Sequence, residues 1–533
     1  MFSKTIKIQN VNHVSRSNRR SGTLLIVVLV TIVILSLSAY TFTALMQTEE
    51  EAARLVTRRV QSKYLVDSGL DYVRLFLSNS DSTIRDRGGR WDNADLFQAV
   101  PVAVQTANPG MTGYFSVVSS SLDGEGTPEG LRFGLVDESS KINLNTLPYS
   151  DGLFPGTGRS ILMTLPEMTE EIADSILDWL DADDEAREYG TESSFYTGSS
   201  DSPPYEAKNG PMDSLDELLL VRGVTQQMLY GLDTNRNGIL DPDEADSSDV
   251  SSSDADAYLG WANYLTLFSN ESNLTAEGLP RINVNADDLD QLYDDLKSSF
   301  NDEWANFVIY YRCAEVEPTT SPPTDVSGVT ENAAQLAPDF SVLQSRRKLN
   351  SIVDLVAKYV DVSEFSENLT GFVESPVQLS NMAETVPTMM ATLTTFEGAA
   401  IPGRVNIMQA PRRVLEGIPG LDEEIVDAII NRRGEEFELD DPSGADLNRK
   451  YETWLLVEGV VDLPTMQSLM SFICTGGAVY RAEIVGYFPD GAGTSRSEVV
   501  LDTTVPIPRV LFWRDKSHLR GSFSIDALGT SNN

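Results

Sequence analysis

Two periodicities divide this chain. From Thr23 through Met46 no acidic or basic residue occurs. At about 1.5 Å per residue, that run forms a helix of roughly 36 Å, long enough to cross a bilayer. From Glu49 to about Asn79 the apolar residues Leu55, Val60, Tyr64, Leu65, Leu70, Val73, Leu75 and Phe76 return at three- and four-residue steps, which predicts an amphipathic continuation of the same helix. Elsewhere the period is two. GYFSVVSS (113–120) and LRFGLVDE (131–138) predict one hairpin across a Gly-rich turn; AVYRAEIVGYF (478–488) and RSEVVLDTTV (496–505) predict a second across PDGAGTS, followed by a strand in PRVLFWR (508–514). Strands near both ends with helical patterns between them predict an α+β fold: a small antiparallel sheet on the N-terminal helix, interrupted by a large, mainly α-helical insertion over 139–475.

The insertion repeats itself. KINLN (141–145), RINVN (281–285) and RVNIM (404–408) share a basic residue, an apolar residue, Asn and a second apolar residue, with helical segments after each. The Asn is expected to cap the backbone entering the first helix. LPEMTEEIADSILDWLD and PRRVLEGIPGLDEEIVDAIINRR resemble helix-hairpin-helix units. Phosphate binding by such hairpins needs basic residues at the turn, whereas these turns read LPEMTEE, VRGVTQQ and IPGLDEE, with Arg432 and Arg433 as a local basic pair. Nucleic acid is therefore not an expected partner, and a DNA-uptake factor is the weakest functional alternative. Ala245–Ala257 and PTTSPPTDVSG, within 317–345, read as linkers.

Composition sharpens this. The net charge is −40; with the five basic residues near the N-terminus set aside, 35 basic residues face 80 acidic ones, a surface that repels polyanions and attracts divalent cations. His13 and His518 are the only histidines, and no nucleophile elbow, zinc-protease helix or phosphate loop is present, so an enzyme is not expected. Cys313 and Cys474 are the only thiols, and the sequence leaves open whether they pair or stay free.

The sharpest chemical pattern is DTNRNGILDPDE, Asp233 to Glu244. Its spacing is that of a calcium loop: Asp233, Asn235 and Asn237 offer side-chain oxygens, Gly238 the tight turn, Ile239 a backbone carbonyl, Asp241 a contact through water and Glu244 a bidentate carboxylate. Asp246–Asp256 does not read as a following helix, so a lone structural loop is expected rather than a paired sensor. The bland reading is a solvated acidic turn. A second cluster, DWLDADDEAREYGTE (178–192), brings Asp181, Asp183, Asp184 and Glu192 near one another in sequence, as a further cation site or simply as solvated acids after a helix.

The N-terminus decides among membrane proteins. Lys4, Lys7, Arg16, Arg19 and Arg20 precede the apolar run and Glu49, Glu50 and Glu51 follow it, which predicts a cytoplasmic N-terminus and an external body. A basic stretch ending in Gly22 just before the run resembles a type IV prepilin leader. That resemblance implies cleavage by the prepilin peptidase after Gly22, leaving Thr23 as the first mature residue and the apolar helix in the membrane. The glutamate usual five residues into the mature chain is replaced by Val27. A carboxylate in hydrocarbon costs roughly 2.5 to 3.5 kcal/mol unless paired. Val27 avoids that cost and forgoes the pairing with a neighbouring subunit, which suits an end-of-filament subunit.

Together RSGTLLIVVLV, SGLDYVRLFL, FGLVDESSKINLNTLP, ILDWLDADDEAREYGTESSFY, PPYEAKNGPMDSLDELLLVRGV and VLFWRD resemble the minor pseudopilin family called general secretion pathway protein K, of type II secretion systems. The resemblance implies a pilin-like fold and a tip subunit of the pseudopilus. Such a subunit assembles with the minor pseudopilins I and J and the inner-membrane platform, and initiates or caps the filament for protein export across the outer membrane. It also implies calcium in the inserted domain, which supports the Asp181–Glu192 cluster. Thr23 in place of an aromatic or aliphatic first residue, and the additional hairpin material after about 260, depart from the family. The expected organisation is a leader (1–22), a transmembrane helix (23–46), a pilin-like helix and first strands (47–138), an inserted α-helical calcium-binding domain (139–316), a linker (317–345), a second helical hairpin region (346–475) and closing strands (476–521). The expected location is the inner membrane, single-pass, with a periplasmic body. The competing class is a membrane-anchored, calcium-binding adhesin or interaction protein, which keeps its leader.

Overall fold

The structure, a computed structural model, describes residues 21–102, 112–122, 128–198, 203–239, 241, 244, 260–320, 338–341, 343–365, 371–433, 449–491, 493–519 and 523–529. The basic residues before the apolar run, the segment Ala245–Ala257 and most of 317–345 lie outside these residues.

Helix α1, Ser21–Leu77, is continuous for 57 residues. Among the described residues it is the helix long and apolar enough to cross a membrane, and its side chains from Leu24 to Met46 touch nothing that buries them. Its second half lies on a seven-stranded sheet. The strands are β1 (Val100–Val102), β2 (Gly113–Leu122), β3 (Pro128–Arg132), β4 (Val136–Asp137), β5 (Val479–Tyr487), β6 (Ser495–Asp502) and β7 (Arg509–Asp515). The main path runs β1-β2-β5-β6-β7, with β3 on β2 and β4 on β5, and every pairing is antiparallel.

Apolar side chains explain the helix face of the sheet. Val66, Val73, Phe76 and Leu77 of α1 close over Phe115 and Val117 of β2, Ile484 of β5 and Val499 and Leu501 of β6. Each such buried side chain contributes about 1.5 to 3 kcal/mol. The helix comes close because glycines face it: a Cβ on Gly486 would lie 2.3 Å from the Ser62 carbonyl oxygen, and one on Gly69 would lie 2.6 Å from Ile484 Cγ2. Replacing Gly486 by Val would push helix and sheet apart.

The opposite face of the sheet is charged. Arg481 and Glu483 of β5 and Arg496 and Glu498 of β6 stand at alternate positions, and Lys516 follows β7. Arg481 pairs with Glu138 at 2.7 Å, Arg496 with Glu483 at 2.6 Å, and Lys516 with Glu483 at 2.9 Å. Both faces are thus covered, which is why β6 is buried along its whole length instead of alternating.

One expected strand divides. In LRFGLVDE, Leu131 and Arg132 belong to β3 while Val136 and Asp137 form β4 on a different partner. Between them Asn93 N–H donates to the Phe133 carbonyl and Leu135 N–H to the Arg90 carbonyl. The backbones approach so closely at Gly134 that a Cβ there would lie 2.0 Å from the Trp91 oxygen. The hairpin of β2 and β3 forms as far as Arg132, and a tertiary contact ends it there.

The insertion leaves and rejoins the sheet at one point, where buried Asp137 accepts from Gly477 N–H at 2.7 Å and from the Asn406 amide at 2.9 Å. It has its own apolar core, spanning Ile142 to Ile473. Each of the three repeated segments supplies a two-residue strand paired in parallel with a later one: Ile142–Asn143 with Leu265–Thr266, Ile282–Asn283 with Leu393–Thr394, and Val405–Asn406 with Ile473–Cys474. The repeated Asn accepts from the N–H two residues on in all three, at 3.1, 2.9 and 3.0 Å. Asn143 caps a 3₁₀ helix, Leu144–Thr146, that runs into the α-helix at Leu147, whereas Asn283 and Asn406 cap turns and the helices begin further along, at Leu289 and Arg412. A second repeated element is Ser214-x-x-Glu217 and Ser351-x-x-Asp354, each a capping box opening a 3₁₀ helix. Cys313 and Cys474 are both buried, free thiols.

Candidate functional site

The first candidate grows from helix α2, Glu170–Leu180, capped by Thr169 and ending at Asp181. Its apolar side chains enter the core of the insertion, and Asp174 and Asp178 are buried beside them. Asp174 binds Arg159 through two hydrogen bonds of 2.7 and 2.5 Å. Asp178 accepts from Arg187 Nη1 at 2.8 Å, and Asp181 accepts from the same nitrogen. The chain then folds back so tightly that a Cβ on Gly190 would lie 1.9 Å from Asp178 Oδ2. That return delivers Glu192.

Asp181, Asp183 and Glu192 hold carboxylate oxygens within 4.8 Å of one another. Asp184, expected with them, is exposed and outside the group. Glu192 is only 4% exposed, yet both of its carboxylate oxygens, like Asp181 Oδ1, are buried without a hydrogen-bond partner. Burial, then the charges of Asp178, Asp181, Asp184 and Asp183, push the Glu192 carboxyl up to about 7. Buried carboxylate oxygens without donors are costly, and a hard divalent cation satisfies them. Asn209 was missed by the sequence reasoning. Its amide donates to the Asp183 carbonyl at 2.7 Å, its Oδ1 is buried and unpartnered, and its backbone is left-handed at φ 47°. The Asn-Gly pair at 209–210 was the available signal.

The second candidate is the Asp233–Glu244 loop, whose Leu240, Pro242 and Asp243 lie outside the described residues. The structure brings Asp233, Asn235, Asn237, Asp241 and Glu244 together. Asp233 accepts from Asn237 N–H at 3.0 Å and Gly238 N–H at 2.8 Å; Glu244 accepts from Thr234 N–H at 2.9 Å and its hydroxyl at 2.8 Å. Both amides, Asn235 and Asn237, donate to Asp241 Oδ2, at 2.6 and 3.0 Å. Gly238 takes φ 73°, the conformation the turn demands. Ile239, expected to offer its carbonyl, also packs its half-buried side chain against the apolar cluster of the helix–sheet unit. Asn235 is 5% exposed and its Oδ1 has no partner. Burial pushes Asp233 up to about 6, against the N–H groups of Gly238 and Asn237; nearby Glu244 adds to the rise. Oxygen donors alone, two of them neutral amides, fit calcium better than a softer metal.

At the other end of the chain, Gly22 and Thr23 lie in the first turn of α1. Val27 is exposed on the helix surface, with its carbonyl accepting from Thr31 Oγ1 at 3.0 Å.

Residues 140–233 match the family model described as "Type II secretion system (T2SS), protein K". This stretch is similar to protein K of type II secretion systems. It includes the whole 178–192 cluster and ends on Asp233, the first residue of the second loop. A curated relative, "Putative type II secretion system protein K" of Escherichia coli (strain K12), is 25% identical over 226 residues, which are 40% of this chain and 62% of that protein. The chain thus spans less than two thirds of the relative's length. A solved structure of the GspK-GspI-GspJ complex from enterotoxigenic Escherichia coli aligns over 88% of this chain and 98% of its own, at 10% identity and a TM-score of 0.30.

Proposed function

We propose that this chain is a minor pseudopilin of a type II secretion system, anchored in the inner membrane by α1 with its body in the periplasm. It assembles with the I and J pseudopilins and the membrane platform at the filament tip, where it initiates or caps the pseudopilus. One observation carries the reading: the protein K segment sits in a helical body inserted between β4 and β5 of a sheet that rests on the lower half of a single long apolar helix. Such a helix packs laterally among like helices, and the body it carries stands clear of the bilayer. Calcium is its proposed cofactor, held at Asp181, Asp183 and Glu192 and in the Asp233–Glu244 loop, where it acts as a structural staple.

The deciding experiment is mass spectrometry of the chain recovered from membranes. Cleavage after Gly22, with Thr23 as a methylated or unmodified N-terminus, is expected. A chain still beginning at Met1 would overturn the pseudopilin reading in favour of a membrane-anchored binding protein. Co-purification with the I and J pseudopilins tests the tip assembly.

A further inference from the structure

The Asp233–Glu244 loop touches more than its own ligands. Its outer edge is held by the sheet. Arg496 of β6, 1% exposed, donates through Nη2 to the Asn235 carbonyl at 2.8 Å and the Arg236 carbonyl at 2.6 Å, and Lys516 Nζ reaches the Arg236 carbonyl at 2.9 Å. Arg236 has φ 55°, which turns that carbonyl outward. Gly238 rests on β2, where a Cβ would lie 2.9 Å from Ser120. Ile239, half-buried, packs against the apolar cluster of the helix–sheet unit. On its other side the loop is tied to the helical body: the Arg236 guanidinium lies 3.7 Å from the centre of the Tyr230 ring and 3.5 Å from Asp216.

We infer that a divalent cation in this loop latches the helical body to the sheet. The inference rests on the calcium reading of the loop and goes beyond it by giving the ion a task between two cores. Asn235 and Asn237 turn their side chains, and Asn235, Asn237 and Gly238 their N–H groups, inward toward the ligand set, while the carbonyls of Asn235 and Arg236 face outward to Arg496 and Lys516. The buried, unpartnered Oδ1 of Asn235 points independently to a missing ligand, because its amide head already lies among the donors through Asp241. The apolar clusters of the insertion and of the helix–sheet unit are separate. Besides the Asp137 junction and the Phe268–Phe512 ring contact at 5.9 Å, they meet across the charged face of the sheet, whose polar contacts depend on fixed geometry. Cation binding and docking of the body must then strengthen each other by the same factor.

The test uses the full chain in detergent micelles, calorimetric titration with calcium, and hydrogen exchange with and without the ion. Calcium should slow amide exchange in β6, β7 and 214–239 of the wild-type chain. Arg496→Met and Lys516→Met should weaken one class of calcium site, on the order of tenfold for Arg496→Met, while leaving binding at the Asp181–Glu192 cluster unchanged. Asn235→Ala should weaken the same class. Unchanged exchange in β6 and β7, with calcium still bound and weakened by Asn235→Ala, would overturn the latch and leave the site standing. Calcium binding indifferent to both Asn235→Ala and Glu244→Ala would remove the site itself. The wild-type exchange measurement decides even if a variant does not fold.

Discussion

The two candidate cation sites solve the same electrostatic problem in opposite ways. In the Asp233–Glu244 loop the carboxylates are already occupied: Asp233 and Glu244 take N–H and hydroxyl donors from their own turn, and two neutral amides stand among them. At the other site Asp181 alone of the three pairs with Arg187, Asp183 accepts from Glu185 N–H at 2.9 Å, and the two oxygens of Glu192 receive no hydrogen bond. The loop is preorganised by hydrogen bonds; the cluster is held together by a backbone that forces like charges inward. A cation therefore completes the first and compensates the second, so the cluster should depend on it more.

Removing calcium from both sites should have the largest effect. With free ion a thousandfold above its dissociation constant, each site loses about 4 kcal/mol on chelation. The expected outcome is a clear fall in the melting temperature of the full chain in EGTA, and no fall would show that neither site is loaded. Glu244→Ala comes next. It strips the acceptor from Thr234 and Asn235, so it should cost about 1 to 3 kcal/mol in chelator as well as in calcium. Glu192→Gln should instead change sign. In calcium it loses a ligand and destabilises; in chelator it removes a buried like charge and matches or exceeds the wild type, which thermal melts under the two conditions would show.

A smaller effect follows from acidity. Glu192 titrates near its ordinary 4.5 in the unfolded chain and near about 7 in the folded one. Between these values the folded state holds the extra proton, so the cation-free chain should lose stability as pH rises through that window and stay at the lower level above it. Denaturant titrations in EGTA at several pH values should show the slope in the wild type and a reduced slope in Glu192→Gln. Asp184→Asn should do least, because Asp184 is exposed and outside the group; calcium affinity should stay within twofold of the wild type, roughly 0.4 kcal/mol.

The architecture was legible because its periods are strong. The run from Thr23 and the three- and four-residue recurrence after Glu49 became one helix, and the alternation at 113–120, 478–488, 496–505 and 508–514 became strands within a few residues of their expected ends. LRFGLVDE pairs as expected through Arg132 and then divides because Gly134 packs on the backbone of Trp91, 43 positions earlier, which no local pattern records. The calcium-type spacing at Asp233 brought its residues together as expected, since a short loop with glycine at its turn has few other ways to fold. Asp184 was misplaced because neighbouring aspartates in an irregular turn point in different directions. The hold of Arg496 on the loop was invisible: those residues are 260 positions apart, and only the closed sheet brings them into contact.

The three parallel strand pairs carry one more consequence. Each opens with an asparagine-capped turn and is closed by a strand far downstream, so whatever lies between begins and ends at neighbouring points. Evolution can lengthen or shorten any of these arcs without altering where β4 hands over to β5. The body of this protein is thus modular in size while its stem is not.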